Sequence, residues 1–207
     1  MEGKAGSDRI QLGEVDAAAS INEKLHADLR ALESAVASCD RCPGGRKGVP
    51  GWGQPGADVF LLAGMPGPGA SARNPWGAWR EQLLEKASGE WGWDLTGAYY
   101  STALRCPLRK VTRREVRRCA GFVAEEFFIV GPRLVIVSGK VATVALREAL
   151  GDEIPGNPRA GDVCTLFATR FLFELDIARI GREKQAAAVF WNVLRSAEDL
   201  LPALKPA

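Results

Sequence analysis

Apolar positions along this chain follow two rhythms, a helical spacing and short unbroken runs. Leu25, Leu29, Leu32 and Val36 recur at helical spacing. Ser20-Ile21-Asn22-Glu23 has the form of a capping box, with Ser20 as cap and Glu23 reaching back. Together they predict an amphipathic helix over Ser20–Ser38. Asp58-Val59-Phe60-Leu61-Leu62-Ala63 is a continuous apolar run, as expected of a strand buried on both faces of a parallel sheet. Ala98–Leu104, Arg133–Ser138 and Val163–Thr169 read as further strands. Helices are expected from Trp76 to Leu84, from a second capping box at Thr112-Arg113-Arg114-Glu115, from Lys140 to Leu150, and from Glu183 to Leu201. Strands alternating with helices predict an α/β fold around a mainly parallel, four-stranded sheet covered on both faces. Met1–Ala19 carries no such periodicity and is expected to be a loose tail, leaving one domain over residues 20–207.

A chain of 207 residues has room for a real core. No apolar run approaches the ~20 residues of a membrane span, and the amino terminus lacks the apolar block of a signal peptide. The expectation is a cytoplasmic protein without a membrane partner. The net charge of +2 says little about partners, but its distribution says more. Between Arg105 and Arg118 lie seven basic residues (Arg105, Arg109, Lys110, Arg113, Arg114, Arg117, Arg118) against one acid, Glu115. Such a cluster is either a phosphate footprint or a solvated helix face. The single histidine, His26, sits on the first helix and is given no role.

Two stretches carry candidate chemistry. After the first strand, Gly64-Met65-Pro66-Gly67-Pro68-Gly69 would let backbone N–H groups face a ligand, and Asn74-Pro75-Trp76 adds a large flat ring. A loop at the carboxyl end of a parallel strand is the usual ligand crevice of an open α/β sheet. The alternative is a tight strand-to-helix turn with Trp76 in the core. The cysteines form the second signal. Cys39 and Cys42 are in Cys-x2-Cys spacing, and twelve residues separate Cys106 from Cys119, while Cys164 stands apart. An odd total of five without an export signal argues against a disulfide framework. Four thiolates satisfy either a tetrahedral zinc or an iron–sulfur cluster, and spacing does not choose between them.

Taken in order, Cys39-x2-Cys42, the segment Val49-Pro50-Gly51-Trp52-Gly53-Gln54-Pro55-Gly56-Ala57-Asp58-Val59, Pro66-Gly67, Cys106-Pro107 and Cys119 resemble the iron–sulfur uracil-DNA glycosylases of families 4 and 5. Val137-Ser138-Gly139-Lys140-Val141-Ala142 is similar to their strand-to-helix turn, and the likeness runs roughly from Leu32 to Leu201. The resemblance implies a three-layer α/β/α sandwich that binds DNA. It implies a structural 4Fe–4S cluster held by Cys39, Cys42, Cys106 and Cys119. It also implies a base pocket drawn from Gly64, Met65, Pro66, Gly67, Trp76, Thr102 and Phe171.

The departures fall where the family keeps its chemistry. Aligned on Pro66-Gly67, the glutamate of the family's G-E-A-P-G loop falls on Gly64, and the uracil-reading asparagine falls on Thr102. The family's H-P-S motif would lie near Ala168–Leu172, with Phe171 in place of a histidine, and no histidine follows His26. Trp76 is the counterpart of the phenylalanine that stacks on uracil. Removing one electrostatic donor from such a site commonly costs ~10²–10³ in rate, and here three are changed. The nearest polar candidates to compensate are Asp176, Glu174 and Arg170.

What the resemblance leaves in place is apparatus for holding nucleic acid. The turn at Ser138, Gly139 and Lys140 presents helix N–H groups to a phosphate. Arg105, Arg109, Lys110, Arg113, Arg114 and Arg117 lie beside two of the cysteines, and Arg179, Arg182 and Lys184 follow the degraded motif. Three functions compete: a DNA-binding iron–sulfur protein with uracil excision lost or altered, working by recognition or inside a repair complex; a glycosylase for another damaged or modified base; and a protein-interaction subunit. Exposed tryptophans among Trp52, Trp76, Trp79, Trp91 and Trp93 would favour the last.

Overall fold

The computed structural model describes residues 5–42, 47–180 and 182–200, with backbone alone for 5–16. At its centre are the two most apolar strands, β1 (Val59–Ala63) and β3 (Leu134–Ser138), every residue of which is buried. β2 (Tyr99–Thr102) pairs with the outer side of β1, and β5 (Thr169–Glu174) with the outer side of β3, all in parallel. β4 (Val163–Leu166) closes the sheet as an antiparallel edge, giving the order β2-β1-β3-β5-β4. An edge strand covered on one face needs only every second side chain inside, and β4 accordingly alternates between exposed and half-buried positions.

Alternation along β1 divides the core into two layers. Phe60 and Leu62 face the side covered by α3 (Arg113–Val130) and α4 (Gly139–Leu150), where Val123, Phe127, Ala142 and Leu146 meet them. Val59, Leu61 and Ala63 face α2 (Ala78–Lys86) and α5 (Lys184–Arg195), with Leu83, Phe190 and Leu194 beneath. The three-layer α/β/α arrangement is therefore as expected. α1 (Ala5–Ala37) lies outside α3, with Leu32 and Val36 packed on Phe122. It begins well before Ser20, crossing most of the segment expected to be a loose tail, so Ser20 lies inside the helix. The second capping box is present as expected: the Thr112 hydroxyl accepts from the Arg114 N–H, and Glu115 accepts from the Thr112 N–H. No helix among the described residues is long and apolar enough to cross a membrane.

One difference from the expected architecture matters for function. The sheet has five strands, not four, because the stretch read as a single strand over Val163–Thr169 turns back on itself. Phe167 and Ala168 take φ of 52° and 63°, the left-handed pair of a two-residue hairpin. Neither is a residue that advertises such a turn, so the sequence reads straight through it. The parallel neighbour of β3 is β5, and the carboxyl edge of the sheet on this side is Glu174, not Thr169.

Candidate functional site

The carboxyl ends of β1, β2, β3 and β5 share one edge of the sheet, where an open α/β fold places its ligands. The structure divides that edge into a closed half and an open half.

The closed half is the loop after β1. Its glycines are required by the chain itself. A Cβ at Gly67 would lie 1.9 Å from the Trp76 carbonyl oxygen, and one at Gly77, where φ is 54°, would lie 2.0 Å from that of Pro68. The loop crosses its own backbone here, with Gly67 N–H donating to Pro75 O at 3.1 Å and Ala78 N–H to Pro68 O at 3.0 Å. Ser71 and Asn74 exchange a further pair of backbone bonds. Gly64 is buried against α4, and a Cβ there would stand 3.2 Å from Val141 Cβ. Pro66 is half-buried, and Met65 packs against the apolar layer under α3 and α4.

Trp76 belongs to the core. Its ring is 0% exposed, edge-on to Tyr100, and its indole N–H donates to Ser101 O at 2.8 Å. No face of it is offered to a base, so the expected stacking platform is corrected to a core residue. Thr102 is buried too, its hydroxyl donating to Leu104 O at 2.8 Å. Phe171 sits in mid-strand opposite Val135, stacked on Phe127, three residues short of the strand's end. Its assignment to the pocket followed from taking Val163–Thr169 as the last parallel strand. The segment that leaves that strand's carboxyl end is Leu175–Arg179.

The basic cluster is likewise split. Arg105 is corrected from a DNA contact to a buried structural cation. Its guanidinium donates to Glu126 Oε2 at 2.8 Å and to Ser101 Oγ at 2.7 Å, and Glu126 Oε1 accepts from the Gly51 N–H at 3.2 Å. This network ties β2, α3 and the loop before β1 together. Arg109, Lys110, Arg113, Arg114 and Arg117 are exposed. Of these, Arg113 and Arg117 both pair with Glu148 of α4, and Arg113 foremost holds that carboxyl below its ordinary range. Lys140 is exposed at the start of α4, whereas Ser138 is buried and Gly139 is pressed against Asp176. A groove of about 450 Å³ runs between the start of α3 and α4, with Val116, Val141 and Val144 in its floor and Arg113, Lys140 and Arg147 beside it.

Four of the cysteines come together and the fifth does not. Cys39 follows α1, Cys106 follows β2 and Cys119 is on α3. The Cys39–Cys42 segment is held to α3 by Arg41, which donates to Arg118 O at 3.1 Å and lies over the Phe122 ring. Burial pushes the Cys106 thiol up, and Cys119, Cys42 and Cys39 push it further. Burial also raises Cys119; the backbone and guanidinium of Arg105 pull against it, while Cys42 and Cys39 add to the rise. Cys164 is raised by burial alone. Thiols that act on one another electrostatically are neighbours, and a cationic centre bound among them would favour their thiolate forms. Among the described residues, no three His, Cys, Asp or Glu side chains stand close enough together to hold a metal ion. The four thiols are therefore neighbours without standing in ligating geometry, and residues 43–46 lie outside the described ones.

The open half of the edge lies between α4 and the segment after β5. A cleft of about 330 Å³ is lined by Lys140, Thr143, Asn157, Phe173, Glu174 and Arg179 among others. Sequence reasoning marks Glu174 only as a nearby polar residue, and it misses Thr143 and Asn157. An acid ending the apolar run Phe171-Leu172-Phe173 is the signal that was legible.

A three-layer sandwich with its ligand edge at the strand carboxyl ends, and a Cys-x2-Cys segment docked beside two later cysteines, is the architecture implied by the glycosylase resemblance. No family model matches the chain. It is 28% identical over 131 residues to a type-4 uracil-DNA glycosylase of Pyrobaculum aerophilum, a likeness covering 60% of this chain and 67% of that protein. This likeness agrees with the resemblance to the uracil-DNA glycosylases read from the sequence motifs.

Proposed function

We propose that this protein binds DNA as an iron–sulfur member of the uracil-DNA glycosylase superfamily in which ordinary uracil excision has been lost or altered. The observation that carries this reading is the closed half of the site. Gly64 is packed on Val141, Trp76 is spent in the core, and Thr102 has turned its hydroxyl to its own backbone. Cleavage of an N-glycosidic bond requires the departing base anion to be stabilised, and none of these residues can do so. DNA binding is supported by exposed Arg109, Lys110 and Arg114 at and just before the start of α3, and by Lys140, which lines the groove between α3 and α4 with Arg113 and Arg147. Cys39, Cys42, Cys106 and Cys119 would hold a 4Fe–4S cluster, with zinc the other centre that four thiolates suit. Held by these four, a cluster would fasten the end of α1 to α3. A protein-interaction role is disfavoured because none of the tryptophans is among the large exposed apolar side chains.

Titration with abasic, uracil-containing and unmodified oligonucleotides, followed by a base-release assay, tests the reading. Salt-dependent binding to all three without uracil release is expected. Robust uracil release that a change at Asp176 abolishes would show a rebuilt catalytic site. Protein purified without oxygen should be brown, with about four irons per chain. Stoichiometric zinc without iron under iron-replete growth would replace the cluster by a zinc site.

A further inference from the structure

α1 is longer than the surface it packs on. From Leu25 to Val36, about three turns, it rests on the body of the protein through Leu29, Leu32 and Val36. Residues 17–24 before them are exposed without exception, and the helical backbone continues back to Ala5. Helix propensity alone sustains such a segment only marginally in water.

The outward face of α1 carries a heptad of its own. Ala17, Ile21, Lys24, Asp28, Ala31 and Ala35 recur at alternating intervals of four and three, and all six are exposed. This stripe is separate from the Leu29, Leu32 and Val36 stripe beneath it. Ile21 is 62% exposed, one of five large apolar side chains left outside the core among the described residues.

Beside the second half of the stripe, a groove of about 610 Å³ runs between α1 and α3. Asp28, Ala31 and Ala35 line its α1 side, and Ala124, Glu125 and Phe128 its α3 side. Alanines on both sides let a further helix approach closely. Phe128 is 61% exposed, and its ring stands 5.9 Å from that of the equally exposed Phe167 in the β4–β5 hairpin. The charges of this face are Lys24, Asp28 and Glu125, and none of them is in an ion pair among the described residues.

The stripe is its own complement. Two copies turned end for end, centred level with residue 26, match Ala17 with Ala35, Ile21 with Ala31 and Lys24 with Asp28, each match made twice. The large side chain meets a small one and each charge meets its opposite. A parallel alignment in register would set Lys24 against Lys24 and Asp28 against Asp28.

We propose that this face of α1 is the interface of a two-fold homodimer, in which Ile21 of each copy enters the groove of the other beside Ala31 and Phe128. The paired stretch, residues 17–35, is roughly 28 Å long at 1.5 Å per residue. Phe128 and the Phe167 hairpin lie at the amino ends of the parallel strands, so the dimer leaves the carboxyl edge of each sheet free. The assignment does not rest on the DNA-binding reading; where both hold, one dimer presents two basic surfaces.

The test is sedimentation equilibrium of the full chain from low to high micromolar concentration, with a thiol reductant present so that free cysteines do not link copies. A mass rising toward twice that of one chain is expected. Ile21→Glu alters an exposed position and should leave the fold of one copy intact, as judged by circular dichroism. It should weaken association at least about tenfold, because two charges would then be buried at the interface. Lys24→Asp alone and Asp28→Lys alone should each associate more weakly than the parent, since like charges then face one another at two places. Mixed together, these two variants should form a heterodimer of parental affinity, because every aspartate again meets a lysine. A monomer at every concentration, a dimer indifferent to Ile21→Glu, or charge variants that fail to rescue one another would each overturn the assignment.

Discussion

The two halves of the ligand edge are built from similar means and satisfied to different degrees. On the β1–β2 side, Trp76, Thr102 and Arg105 each have a hydrogen-bond partner inside the protein. The Trp76 indole meets the Ser101 carbonyl, the Thr102 hydroxyl meets Leu104, and Arg105 is held by Glu126 and Ser101. On the β5 side, a carboxyl of equal burial is left with one oxygen unpaired. Buried polar atoms are nearly always satisfied, and Glu174 Oε2 is one of five without a partner among the described residues, with Asn74 Oδ1, Arg80 Nε, Tyr99 Oη and Arg105 Nε, but the only carboxylate oxygen of the five. The comparison separates a loop closed on its own backbone from a cleft edged by a buried carboxyl without a counter-ion.

Substitutions should therefore act with opposite sign on the two sides. The largest effect is expected from Glu126→Ala, which leaves the Arg105 guanidinium buried without its counter-ion. A loss of about 3–5 kcal/mol in urea unfolding is expected. A loss below about 1 kcal/mol would mean that Arg105 reaches solvent and that the β2 side is looser than described.

Trp76→Phe comes next. It keeps an aromatic ring in the core but removes the N–H, so the Ser101 carbonyl loses its indole donor. About 1–3 kcal/mol of stability should go, with DNA affinity unchanged. A selective loss of DNA affinity at unchanged stability would restore Trp76 to the ligand side.

Glu174→Gln should do the reverse and stabilise the protein by on the order of 1–2 kcal/mol near pH 8, since it removes a group that ionises at a cost. The sign follows from the raised carboxyl. From its ordinary value of 4.5 up to about 8, the folded state keeps a proton that the unfolded chain has released. Stability is therefore fullest below that ordinary value and declines across this window as pH rises. The glutamine variant should lack this slope. Equal slopes in variant and parent, by thermal melts between pH 5 and pH 8, would show Glu174 to be ionised in the fold.

The smallest effect on stability is expected from Arg114→Glu with Lys110→Glu, both exposed and outside the ion pairs described. Unfolding should change by less than about 0.5 kcal/mol. DNA binding should weaken for every sequence alike, and the slope of log affinity against log salt should fall by about one for each phosphate no longer neutralised. An unchanged slope would leave the basic row a solvated face.

Much of the scaffold was legible before the structure. Apolar runs at β1 and β3 are long enough to require burial on both faces, and helical spacing and a capping box located α3 because those signals are local. Cysteine spacing set four thiols apart from Cys164, since a Cys-x2-Cys pair constrains its own geometry. The β4–β5 hairpin was not legible. Its turn is made by Phe167 and Ala168, which do not favour positive φ, so tertiary packing of β5 between β3 and β4 sets it. That single misreading carried Phe171 into the pocket and left Glu174 at its margin.

The sequence by itself determined which segments become strands and helices, because periodicity and capping act within a few residues of one another. It also determined the absence of the side chains usual in the uracil-DNA glycosylases it resembles, which is a matter of identity and not of position. Only the tertiary structure decided whether each remaining polar group found a partner. Arg105 and Lys140 are both basic residues near the sheet edge, yet one meets a glutamate twenty-one residues on and the other meets solvent. Satisfaction of a buried group depends on which distant atoms reach it, and chain order does not record that distance.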